Sequence, residues 1–237
     1  MTYLSKFNGQ RKDAMKVVCK PLQIYIEDHR EWQGGFLYYN RYQKRVYVEQ
    51  GRYIPDYFIG DRIAFQSSQS FQQNHIHLGP PIRKSVLEHL SNNWKDEILC
   101  IGGESYLYGL FMEGVKKMWH WTNSQYIHED CQFMSTFYQK EKEVVSCQID
   151  YSKFSLDFIP LSCSIVCINL AHLPSTICEV LRDCKWIETI VLVHCHGDEF
   201  WRKVKKYWKG QYWIQKREQY VCEHLHYMIT VNIFQRV

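Results

Sequence analysis

The chain has 237 residues, 46% hydrophobic and 16% aromatic, with a formal net charge of +4. That size suits one large domain, or a main domain with a small appendage, and the apolar content is ample for a core. No apolar run approaches the roughly 20 residues that span a bilayer, and the first twenty residues contain no apolar signal core, so a soluble, cytoplasmic protein with no membrane partner is expected.

Ten cysteines are scattered along the chain without a C-x-x-C pair, which argues against a disulfide framework. Cys222-Glu223-His224-Leu225-His226 comes nearest to metal-ligand spacing, but nothing elsewhere completes a zinc set, and no metal is expected. Charge is unevenly placed. Residues 1–52 hold ten Lys or Arg against five Asp or Glu.

Residues 1 to about 70 read as a small β-rich basic module. Short apolar or aromatic runs at Val17-Val18, Leu22–Ile26, Phe36–Tyr39, Arg45–Val48 and Arg62–Phe65 are punctuated by turn signals. These are Gln33-Gly34-Gly35, Pro55-Asp56 and Gly60-Asp61. A change comes at Pro80-Pro81, which opens a helical pattern (Ile82, Val86, Leu87, Leu90) ending near Ser91-Asn92-Asn93. Strands and helices then alternate. Strands are predicted at Glu97–Ile101, Lys117–Trp121, Glu143–Ile149, Ser164–Ile168 and Thr189–Val193. Helices are predicted at Pro174–Cys184 and Asp198–Lys209, and two strands, Tyr212–Gln215 and Met228–Phe234, close the chain. Such alternation implies an α/β fold with a Rossmann-like, doubly wound parallel sheet over 71–237, and the last two strands imply a C-terminal antiparallel hairpin. The order fits a class I methyltransferase sheet.

The stretch Ile187–Gly197, IETIVLVHCHG, ends a buried strand in a polar tip. Ligands of open α/β sheets gather at such carboxyl ends. Cys195, flanked by His194 and His196, is a candidate nucleophile there, because a neighbouring base or imidazolium favours the thiolate. A half-buried structural cysteine beside two surface histidines is the plainer alternative. Beyond it, Arg202, Lys203, Lys205, Lys206 and Lys209 are interleaved with Trp201, Tyr207 and Trp208. Basic residues mixed with aromatics suit nucleic acid. The same spacing also describes a solvated amphipathic helix whose Phe200, Val204 and Tyr207 or Trp208 face the core. A cysteine hydrolase is disfavoured, since triad partners normally come from separate segments.

Several of these pieces together resemble the RNA (uracil-5)-methyltransferase family. Ser70-Phe71-Gln72-Gln73-Asn74 looks like its F-x-Q-x-N or F-Q-x-N segment, and Ile190–Gly197 looks like its I-V-Y-V-S-C-N-P strand with Cys195 at the catalytic cysteine. Tyr212 to the end looks like its final hairpin. The resemblance implies S-adenosylmethionine as cofactor, RNA as substrate, and covalent addition of Cys195 to a uracil ring. It implies Gln72 and Asn74 near the base; Arg202, Lys203 and Lys206 of the basic cluster would then face the RNA. Gly102, Gly103 and Glu104 would lie at the cofactor, Glu104 reaching its amino group or else capping a helix; Thr122, Asn123 and Asp150 would lie beside the ribose and adenine. The chain also departs from the pattern. Asn169 stands where the family has the Asp of D-P-P-R, Glu223 is near the expected general base but out of register, and Thr122-Asn123 replaces the ribose-binding acid. A catalytically inactive scaffold binding nucleic acid or a protein partner is the alternative these departures favour. A second, fainter resemblance, carried by I-G-G-E-S-Y and C-H-x-x-x-F-W-x-K, is to short methyltransferase-like proteins of large cytoplasmic DNA viruses.

Overall fold

The computed structural model describes residues 37–40, 45–48, 53–59, 62–67, 70, 78–93, 95–138, 142–195, 197–222 and 227–237. Two antiparallel ladders come first: β1 (Leu37–Asn40) with β2 (Arg45–Val48), and β3 (Tyr53–Ile59) with β4 (Arg62–Ser67). The turn expected at Pro55-Asp56 is instead inside β3, where Pro55 pairs with Phe65 and Asp56 with Ala64. A two-stranded ribbon leaves half of its backbone N–H groups unladdered, so a proline fits without losing a ladder bond. The first two runs and the turns at 33–35 and 60–61 lie outside the described residues.

The main sheet has seven strands. They are β5 (Glu97–Ile101), β6 (Lys117–Thr122), β7 (Glu143–Gln148), β8 (Ile165–Asn169), β9 (Thr189–His194), β10 (Tyr212–Cys222) and β11 (Tyr227–Arg236). Their order is β10-β11-β9-β8-β5-β6-β7. The ladders among β5 to β9 are parallel, while β11 runs antiparallel to both β9 and β10. β8 and β9 are buried along their whole length, as continuous apolar runs covered on both faces must be.

Helices α1 (Gly79–Asn92), α2 (Ser105–Phe111) and α3 (Gln125–Phe137) precede α4 (Ser175–Asp183) and α5 (Gly197–Trp208). Side chains alternate across β9 into two core clusters. Val191 and Val193 join Ile82, Val86 and Leu90 of α1 and Phe58 and Phe65 of the β3–β4 hairpin. Ile190 and Leu192 join Ile177 and Leu181 of α4 and Phe200, Val204, Tyr207 and Trp208 of α5. The amphipathic reading of α5 is therefore the observed one.

β10 runs well past the expected Gln215. Its extension, Lys216–Cys222, opens with the polar run Lys216-Arg217-Glu218-Gln219, yet it is laddered to β11 throughout. An outer antiparallel strand open to water needs no apolar alternation, and the irregularity between Ile214 and Lys216 together with the charges discourages pairing beyond the edge.

Arg236 locks the end of the chain in place. Its guanidinium donates to the carbonyls of Leu181 (3.0 Å), Cys184 (2.6 Å) and Ile187 (2.8 Å) and lies 4.4 Å over the Tyr212 ring. Carbonyls at a helix C-terminus lack intrahelical donors and attract cations. Arg236→Ala is expected to remove about 2 kcal/mol. In urea unfolding this gives a lower midpoint with an unchanged slope.

Candidate functional site

The parallel strands all end on one edge of the sheet. Strand order reverses between β5 and β8, each continuing to the opposite side, and ligands of open α/β sheets bind at such a crevice. β5 delivers Gly102, Gly103 and Glu104 to this edge, β6 delivers Thr122 and Asn123, β7 leads to Asp150, β8 ends at Asn169, and β9 leads to Cys195.

Gly102 and Gly103 have φ of +76° and +20° and are buried. A Cβ on Gly102 would lie 2.7 Å from the backbone oxygen of Asn169 and press on the Leu170 side chain; one on Gly103 would lie 2.8 Å from the same oxygen. Only glycine permits this approach. Asn169 itself is 3% exposed, and its side-chain Nδ2 has no hydrogen-bond partner. A buried amide donor left unsatisfied costs about 1–3 kcal/mol, which makes this one a candidate contact for a ligand at the carboxyl edge.

The neighbouring strand ends are more fully committed. Thr122 is buried, its hydroxyl accepting from Ser124 N at 3.2 Å, whereas Asn123 is exposed. Asp150 is exposed, and its carboxylate accepts from Ser152 N (2.9 Å) and Oγ (2.8 Å), capping the turn at Tyr151–Lys153. Those bonds, the backbone one foremost, hold its carboxyl below the ordinary carboxylate range. Glu104 stands before α2 but makes no capping bond to it. Its side chain is wholly buried and bound by Arg83 of α1, with Nη2 at 2.8 Å and Nε at 3.4 Å. The helix-cap alternative is thus replaced by a buried ion pair. Arg83 also lies 4.8 Å over the Phe58 ring, which explains how a guanidinium sits in the core.

Cys195 is half-buried and packs with Val191 and Val193 against the α1 side of the sheet, the side to which Asn169 belongs by its alternation with Ile165 and Cys167. His194 does not share that side. It stacks on Phe200 at 3.8 Å, and Asn232 Nδ2 donates to its Nε2 at 3.0 Å. The flanking arrangement expected of His194 is therefore corrected: β-alternation turns it to the opposite face of the sheet from the thiol. His196, Gln72, Asn74 and Glu223 lie outside the described residues, as do His75, His77, His224 and His226.

On α5, Arg202 and Lys206 are exposed, Lys206 lying 4.7 Å over the Tyr207 ring. Lys203 is half-buried and donates to Leu173 O at 2.9 Å. Two buried charged residues brace the site's surroundings through partners that the local pattern does not identify. Arg83 falls in the apolar stripe with Val86 and Leu90, a position where a charge signals a buried partner. Asp130 of α3 accepts from Ser67 N at 2.9 Å and from Ser70 Oγ, anchoring the end of β4.

No protein-family model and no curated protein sequence matches the chain. Solved structures do. A Pyrococcus abyssi tRNA (uracil-54, C5)-methyltransferase in complex with S-adenosyl-L-homocysteine matches with a TM-score of 0.60 at 16% identity, over 81% of this chain and 47% of that one. Methanocaldococcus jannaschii Trm5 in complex with adenosine matches with a TM-score of 0.61 at 12% identity, over 85% and 60%. M. jannaschii TYW2 in complex with AdoMet matches with a TM-score of 0.54 at 9% identity, over 86% and 94%. The chain thus spans about half the length of the uracil-54 enzyme. With the strand order, the glycine turn after β5 and the antiparallel hairpin at the far edge, these likenesses show that the chain has the class I methyltransferase fold.

Proposed function

We propose that this chain is an S-adenosylmethionine-dependent RNA methyltransferase, acting at C5 of a uridine with Cys195 as nucleophile. The carrying observation is the pair Gly102-Gly103 pressed against Asn169, whose buried amide lacks a partner, on the sheet face that also holds Cys195. The residues present fit the cofactor. Gly102 and Gly103 give backbone access, and Asn123 and Asp150 are open to the adenosine end. When bound, the cofactor supplies an electrophilic methyl group.

Cys195 Sγ would bond to C6 of the uracil and push the C5=C6 electron pair toward C5, making that carbon nucleophilic. Asn169 would hydrogen-bond the ring and hold it against the thiol. C5 would then form a bond to the methyl group that the cofactor supplies, the sulfonium S–CH3 bond breaking to leave a neutral thioether; a base would take the C5 proton, and the electrons of that C–H bond would re-form C5=C6 as the Sγ–C6 bond breaks, returning the thiolate. The ring must leave its stack to be reached.

A second reading is a scaffold that binds RNA without transferring a methyl group. It is favoured by Thr122 and Asn123, which place no carboxylate at the end of β6. Calorimetric titration with S-adenosylmethionine and S-adenosylhomocysteine separates the two. Micromolar binding, about 8 kcal/mol, that is lost in Gly103→Arg is the expected result. Cys195→Ala is then expected to keep cofactor binding and lower methyl transfer by about 1,000-fold or more. No heat from a folded sample would leave the scaffold.

A further inference from the structure

Between Phe200 and Arg217 the chain carries seven Lys or Arg residues and no Asp or Glu. Since the whole chain sums to +4, everything outside this stretch sums to −3. The stretch comprises most of α5, the turn after it and the first half of β10.

Folding sorts these cations. Lys203 is tied to the Leu173 carbonyl, and Lys216 pairs with Glu218 at 2.6 Å. Arg202, Lys205, Lys206 and Lys209 are exposed, on the opposite side of α5 from Phe200, Val204 and Trp208. Arg217 is exposed on the side of β10 that meets α5, with its guanidinium 4.7 Å over the Trp201 ring. Among the described residues, Arg202, Lys205 and Arg217 have no acidic partner. Stacking on the indole keeps the planar fork of Arg217 oriented while its N–H edge stays open, which suits phosphate better than a carboxylate-free patch of lysines alone would. The row begins close to the candidate site, because α5 starts two residues after Cys195.

We propose that the solvent side of α5, continued by Trp201 and Arg217, is a ledge that binds the phosphates of single-stranded RNA and leads the strand to the carboxyl edge of the sheet. This rests on the RNA reading of that edge, adds Arg217 to the basic cluster and sets Lys203 apart from it.

The test is fluorescence anisotropy of a labelled oligouridylate against the full chain across a series of KCl concentrations. Each single-strand phosphate contact contributes about 0.7 to the slope of log K on log salt. Arg202→Gln/Lys205→Gln/Arg217→Gln is therefore expected to lower the slope by about 2, and affinity at 0.1 M salt by about 100-fold. The control Lys95→Gln/Lys116→Gln/Lys185→Gln removes the same charge from exposed positions that precede β5, β6 and β9, at the opposite edge of the sheet, and is expected to change the slope little. Equal losses in the two variants, no binding by the parent chain, or tighter binding of poly-glutamate than of RNA would each overturn the ledge. Thermal melts confirm folding of both variants. Cofactor titration of the same samples keeps the readings apart: a ledge that passes beside a chain that binds no cofactor sinks methyl transfer alone, and the converse sinks the ledge alone.

Discussion

Arg83→Met is expected to lower the unfolding free energy by about 3–5 kcal/mol, because it takes the guanidinium away from a carboxylate that is wholly buried. The two side chains are 4% and 0% exposed and meet through two hydrogen bonds. The loss should be visible as a lower urea midpoint. Arg83→Met/Glu104→Gln is expected to recover much of it, since a buried pair replaced on both sides is often close to neutral. A single and a double variant equally unstable would show that packing of Arg83 on Phe58, not charge pairing, holds α1. The pair also has a functional reach. Glu104 directly follows Gly102-Gly103, so the single variant is expected to weaken cofactor binding beyond what global stability accounts for.

Gly102→Ala is expected to destabilise by about 3 kcal/mol, combining a left-handed backbone with a clash that a side-chain movement cannot relieve. The Leu170 side chain can rotate away, but the Asn169 carbonyl, 2.7 Å from the new Cβ, belongs to the sheet. Gly210→Ala is the matched control. It has φ of +79° but nothing within 4 Å of its Cβ, so only the conformational cost of about 1 kcal/mol applies. Unfolding curves of the two variants isolate the close approach of the β5 turn to β8. If both lose the same amount, the turn is not held against Asn169, and the cradle argued for the cofactor falls with it. Micromolar cofactor binding should survive Gly210→Ala and be lost in Gly102→Ala at temperatures where both remain folded.

What could be read directly from residue order was whatever local periodicity encodes. Glu97–Ile101 and Thr189–Val193 are apolar runs of strand length, and they are strands because such runs can only be covered on both faces. The stripe of Phe200, Val204, Tyr207 and Trp208 announced which side of α5 is buried. The alternation of strand and helix, with two strands at the end, was enough for the parallel sheet and its antiparallel margin. The sequence also set Cys195, Asn169 and the glycine pair at strand ends, which is why they could be suspected as a group.

Features decided by long-range contact were silent. α2, Ser105–Phe111, is buried on every side, so it has no polar face and no amphipathic period to betray it. The outer half of β10 is held by its ladder to β11, not by its composition. α3 is the exception, with a stripe of Ile127, Cys131 and Met134 at helical spacing. Above all, only tertiary structure pairs Arg83 with Glu104 across 21 residues, turns His194 away from Cys195, and leaves the Asn169 amide without a partner. Burial and hydrogen-bond satisfaction are properties of what surrounds a residue, and a linear string specifies neighbours along the chain but not across the fold.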